Sequence, residues 1–120
     1  MKRLLILAVL AAALTAAAVA LGATTLPITA DKSGKLAFNT KALAAKSGKV
    51  TITMLNLGAL PHNVAIKRTK SAKKPIAAGQ IVGKGKTSKV TASLKAGSYI
   101  FYCSVPGHEA GGMWGVLRVK

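Results

Sequence analysis

One cysteine, two histidines and two acidic residues are all that this 120-residue chain has of the side chains that do most catalytic work. The acids, Asp31 and Glu109, lie far apart in the sequence, so no pair of carboxylates is at hand for glycoside hydrolysis. A Ser-His-Asp triad would have to recruit Asp31, well away from either histidine. A lone cysteine forms no internal disulfide. The chain is poorly equipped for acid–base catalysis. It also has no internal repeat and no long linker, and its length suits one domain with a modest core.

What is present begins with Lys2 and Arg3, followed by an uncharged run from Leu4 to Ala23. The run has no polar face, so it does not read as an amphipathic helix of the fold. Ala18-Val19-Ala20 and Ala20-Leu21-Gly22 both suit a signal-peptidase site, and residues 1–22 read as a signal peptide. The alternative is an uncleaved membrane anchor, since about 20 apolar residues span a bilayer. No cysteine stands near the cleavage point to carry a lipid. Residues 23–120 are then a domain exported to the periplasm, the exterior or a membrane-associated surface. Without Lys2 and Arg3 the formal charge of +16 becomes +14. Such a balance points to anionic partners: an acidic protein face, anionic lipid or an anionic wall polymer. Export argues against nucleic acid.

Beyond residue 22 the sequence is polar and strand-like, and its period is two. Leu36 and Phe38 alternate with Ala37 and Asn39. In KVTITMLN (49–56), Val50, Ile52 and Met54 share one face. HNVAIKR (62–68), KTSKVTASLK (86–95), SYIFYC (98–103) and GVLRV (115–119) supply further strands, with glycine-containing turns between. The polar stretch 67–75 reads as a basic connecting loop. The predicted fold class is an all-β sandwich.

Cys103, His108 and Met113 stand five positions apart in CSVPGHEAGGM. That spacing fits neither one helix face nor one strand face, and Pro106, Gly107, Gly111 and Gly112 make the stretch a loop. A loop can turn thiolate, imidazole and thioether toward one point. With His62, the other histidine, the donors become two imidazoles, one thiolate and a weak axial thioether, the set of a blue-copper electron-transfer site. A Cys–His nucleophile is the competing chemistry, but it leaves Met113 and the loop glycines unexplained. Zinc is a poorer match because thioether is not among its usual ligands. Met54 reads as core filling, and Trp114 as a packing residue beside the loop.

GSYIFYCSVPGHEAGGMWGVLRV together with ALPHNVAI resembles the cupredoxins, the group of plastocyanin, azurin and auracyanin, over most of Leu36 to Lys120. The resemblance implies a Greek-key β-sandwich holding one copper ion, cycling between Cu(II) and Cu(I), with His62, Cys103, His108 and Met113 as ligands. It also implies that Asn63 ties the two ligand loops through Ser104, and that His108 lies at the surface as the exit for electrons. The apolar run from Leu57 to Pro61, with Pro106 and Gly107, would surround it as a docking patch. FYCS and HNV look like plastocyanin, whereas C-x-x-P-G-H looks like azurin. Tyr102 takes the place of plastocyanin's exposed tyrosine, but the acidic patch beside that tyrosine has no counterpart here. The expectation is an exported, monomeric electron carrier, not an enzyme, with redox partners of acidic character. Its rival is a basic β-sandwich that binds anionic lipid or wall polymer, or that stores or delivers copper without redox shuttling.

Overall fold

The computed structural model describes residues 22–120, and the expected signal segment lies outside them except for Gly22. Eight strands form two sheets: β1 (Gly22–Ala30), β2 (Ala42–Ala45), β3 (Gly48–Asn56), β4 (Ala65–Lys67), β5 (Ala77–Ala78), β6 (Thr87–Leu94), β7 (Gly97–Tyr102) and β8 (Trp114–Val119). One sheet has the order β1-β3-β6, the other β2-β8-β7-β4-β5. β1 runs parallel to β3 and β2 parallel to β8, while the other pairs are antiparallel. Among the described residues no helix is long and apolar enough to cross a membrane.

Alternation decides which face of each strand turns inward. In β3, Val50, Ile52 and Met54 are fully buried; across the antiparallel register Ala92 and Val90 of β6 pair with Val50 and Ile52, and Leu94 with Gly48. The facing sheet contributes Ile66, Tyr99, Phe101, Leu117 and Val119, closing one core between the layers. Phe101 packs on Phe38 with ring centroids 5.7 Å apart. A side chain at Gly115 would run into the Phe101 ring and the Lys41 carbonyl, so glycine is required there for Phe101 to lie flat across β8. β7 is buried on both sides, because Ile100 and Tyr102 pack with Ala65, Trp114 and Val116 on the outer face of their sheet.

Three expectations change. Leu36–Asn39 is not a strand: Phe38 makes only an isolated bridge to Ala30, and the neighbouring edge is taken by β1. β2 was not anticipated, since Ala42–Ala45 is built almost wholly of alanine and shows no apolar alternation. Lys67 does not belong to a solvated loop; it closes β4 and is 3% exposed.

This arrangement gathers two loops at one end of the sandwich. β3 ends at Asn56 and leads through residues 57–64 into β4, while residues 103–113 join the neighbouring strands β7 and β8. Asn56 shapes the first of these by donating to the carbonyls of Leu60 and Val82 and accepting from the Gly58 amide.

Candidate metal centre

Cys103 follows β7 directly, and β7 is a buried strand, so its side chain enters the core and is fully buried. Its amide donates to the Met113 carbonyl at 3.0 Å, which closes the base of the 103–113 loop as β8 begins. Inside the loop His108 donates to Val105, Gly111 to Gly107, Gly112 to Glu109, and Met113 to His108. Gly107 and Gly112 have φ of 83° and 116°, a region that favours glycine, and this lets the loop coil tightly enough to bring His108 back over Cys103. Met113 is fully buried at the loop's end.

His62 arrives from the other loop. It is held by paired backbone hydrogen bonds with Val82, its amide donating at 3.1 Å and its carbonyl accepting at 2.8 Å, and it is 2% exposed. His62 Nδ1 lies 3.1 Å from His108 Nδ1, and Cys103 Sγ lies 3.9 Å and 3.6 Å from these two nitrogens. The three donors sit within 4.8 Å of one another. A first-row ion bound at about 2.0 Å by nitrogen and about 2.3 Å by sulfur, central among three donors, needs them roughly 3.5–3.8 Å apart. The observed triangle matches to within a few tenths of an ångström, so the residues fit a metal ion. His108 is half-exposed while the other donors are buried, and Leu60, Pro61, Pro106 and Gly107 are exposed in the same two loops.

Asn63 joins the loops. Its Nδ2 donates to Ser104 Oγ at 2.7 Å and to the Gly79 carbonyl at 3.0 Å, and its Oδ1 accepts from the Ser104 amide at 2.7 Å. The tie that the resemblance implied is therefore present, and it links the residue after His62 to the residue after Cys103.

Burial disfavours charge on two of the three donors. Burial pushes the Cys103 thiol up, against hydrogen bonds from the Asn63 and Val105 backbone that work the other way. Burial, then the neighbouring charge of His108, holds His62 below the ordinary histidine value. A neutral imidazole is ready to ligate, whereas the thiol needs a cation to become thiolate.

Sequence reasoning missed Lys67 and Lys70. Lys67 Nζ lies 2.7 Å from Glu109 Oε1, and Lys70 Nζ lies 2.9 Å from Glu109 Oε2. Burial alone would raise the Glu109 carboxyl, but the two lysines outweigh it and hold it below its ordinary value. Tyr102 is not exposed: it is 7% accessible beneath Lys67, whose Nζ is 4.5 Å from the ring centroid. Trp114 is half-buried against the outer face, as its reading as a packing residue expected.

A two-layer β-sandwich with one thiol and two imidazoles converging between its end loops is the architecture of a small mononuclear metal protein. Residues 26–120 match the family model for copper binding proteins of the plastocyanin/azurin family. The chain is 33% identical over 115 residues to an azurin of Pseudomonas fluorescens biotype C, an alignment spanning 69% of this chain and 90% of the azurin. Among solved structures it is similar to a dithionite-reduced auracyanin from Roseiflexus castenholzii (28% identity, TM-score 0.71, 82% of this chain and 99% of that one). It is also similar to auracyanin A, a "blue" copper protein of Chloroflexus aurantiacus (26% identity, TM-score 0.71, 82% and 100%). The chain belongs to the plastocyanin/azurin family, the cupredoxins.

Proposed function

We propose that the chain is an exported electron carrier in which His62, Cys103, His108 and Met113 hold one copper ion. The observation that carries this reading is the donor triangle of two imidazole nitrogens and one buried sulfur, within 4.8 Å of one another and on two loops tied together by Asn63. Copper bound there would supply a one-electron couple. The protein's part is to keep the donors still. Cys103, His62 and Met113 are buried, which excludes water, and the Asn63–Ser104 bonds restrain both loops, so little rearrangement accompanies a change of charge.

His108, half-exposed and next to Pro106 and Gly107, is the route by which an electron reaches a partner. Small and apolar neighbours allow close approach and easy desolvation in a transient complex. The partner is a redox protein of acidic character, consistent with the large positive charge, and an anionic membrane surface is a second anionic contact. With both histidines and the only cysteine committed to one centre, the chain acts as a carrier and not as an enzyme. Residues 1–22 serve as a signal peptide, or stay as an anchor, and the domain works as a monomer outside the cytoplasm.

The test is titration of the metal-free protein with Cu(II). An intense visible thiolate-to-copper band at one equivalent is expected, and Cys103→Ser should abolish it. Copper bound without that band, or a band that persists in the serine variant, would overturn the assignment. Binding to anionic vesicles without any blue band would favour the basic lipid-binding reading instead.

A further inference from the structure

Burying a lysine is costly unless its charge is met, and a chain with eighteen cations and two acids has few ways to meet it. Asp31 is turned back on its own loop, accepting from the Ser33 amide. Glu109 is thus the one acidic side chain among the described residues that forms ion pairs, and both pairs are with Lys67 and Lys70. It stands immediately after His108.

The partners of these two lysines follow a pattern. Lys67 lies over Tyr102, the residue before Cys103. Lys70 Nζ is 4.6 Å from the ring centroid of Trp114, the residue after Met113. Lys41 adds a third contact, 5.5 Å from the Trp114 centroid and 3.3 Å from the Gly112 carbonyl. Cys103 and Met113 are fully buried, while their neighbours Tyr102 and Trp114 pack on the outer face of the sheet with Ala65, Ile100 and Val116. Each donor on the 103–113 loop therefore has an adjoining residue held by Lys67, Lys70 or both.

We propose that Lys67 and Lys70 are positioning residues for the metal centre, gripping the 103–113 loop through Tyr102, Glu109 and Trp114. Cation–π contacts and a charge-assisted pair act together, and the buried member has no solvent to compete for it. The clamp is built from β4 and the segment after it, so it fastens the loop to a strand of the same sheet. Its effect on copper rests on the functional reading above; its effect on the loop does not.

The test uses the full chain and the variants Lys67→Met, Glu109→Gln, Lys70→Met and Lys67→Arg. In the metal-free protein, hydrogen exchange is followed at the Gly111, Gly112 and Met113 amides, whose acceptors all lie within the loop. Lys67→Met and Glu109→Gln should each raise these rates about tenfold, while the amides that pair β3 with β6 keep theirs. Lys67→Arg should restore the parent rates. Lys70 is 45% exposed at its side chain, so Lys70→Met keeps the fold whatever Lys67→Met does, and a smaller rise, about threefold, is expected. In the copper-loaded form the Cu(II) hyperfine splitting should move in the same direction for Lys67→Met and Glu109→Gln, because both loosen one loop. A purely electrostatic role predicts otherwise: losing the carboxylate raises the reduction potential, losing the ammonium lowers it, and exchange and splitting stay at parent values. That outcome, or parent exchange rates in every variant, overturns the proposal. If the parent shows no blue copper band but the exchange pattern holds, the copper reading fails and the clamp stands.

Discussion

Asn63→Ala tests whether the two loops depend on one side chain. Asn63 is 1% exposed and makes three hydrogen bonds, to Ser104 Oγ, the Ser104 amide and the Gly79 carbonyl. At about 1 kcal/mol net for each bond, truncation should cost about 3 kcal/mol. Ser104 is exposed, so water can take over at its amide and the full penalty of stranded buried groups does not apply. For a domain of this size, about 3 kcal/mol lowers the melting temperature by about 12–24 °C. Ser104→Ala is the internal control, because it removes only the hydroxyl and leaves the Ser104 amide bonded to Asn63 Oδ1. Its cost should be about 1 kcal/mol. The assay is thermal and denaturant unfolding of the metal-free protein for parent and both variants. Equal costs for the two variants, or a loss below 1 kcal/mol for Asn63→Ala, would refute the view that Asn63 fastens the loops.

Gly115→Ala should destabilise the metal-free protein by about 1–3 kcal/mol in denaturant unfolding, because the added methyl meets the buried Phe101 ring and the Lys41 carbonyl, neither of which can move away freely. Met113→Gln should retain copper and lower the reduction potential, and Met113→Leu should raise it, as measured by voltammetry; unchanged potentials in both would make Met113 packing alone. His62 titrates below the ordinary histidine value of about 6.5 in the folded chain, so the unfolded chain binds the proton first. The melting temperature of the metal-free protein should therefore fall as the pH drops below about 6.5 and level off once the folded histidine is protonated too; His62→Ala should remove this phase. Glu109 offsets half the charge of Lys67 and Lys70, so more of the electrostatic steering falls to other lysines. Lys84 and Lys86, exposed in the loop bonded to Asn56 at the donor end, should when changed to glutamine flatten the salt dependence of oxidation by ferricyanide, whereas Lys49→Gln and Lys95→Gln at the opposite end should not.

The centre was legible because its donors are chemically rare in this chain: one sulfur of its kind and two imidazoles leave few combinations. β3, β6 and β8 were legible because apolar alternation reports one buried face, and β7 because a short, nearly continuous apolar run bounded by turns reads as a strand buried on both. β2 escaped because alanine carries little of that signal, and Leu36 with Phe38 misled because two alternating residues can anchor a loop as well as a strand. Lys67 escaped for a different reason. Hydropathy places a lysine at the surface, and only the arrival of Glu109 from 42 positions further along the chain makes its burial tolerable. Pairings of that range, like the parallel register of β1 with β3, leave no mark in local sequence.

The loop between β7 and β8 has a consequence for the thermodynamics of the whole chain. Three of the four proposed donors lie within 103–113, whereas His62 comes from a separate loop. An unfolded chain therefore keeps Cys103, His108 and Met113 as a short-range chelate and loses only His62. Metal that binds the unfolded ensemble offsets its own stabilisation of the native state, so the rise in melting temperature on loading reports the difference between two affinities. That difference combines His62 with the preorganisation that burial and the Asn63–Ser104 bonds give the other three.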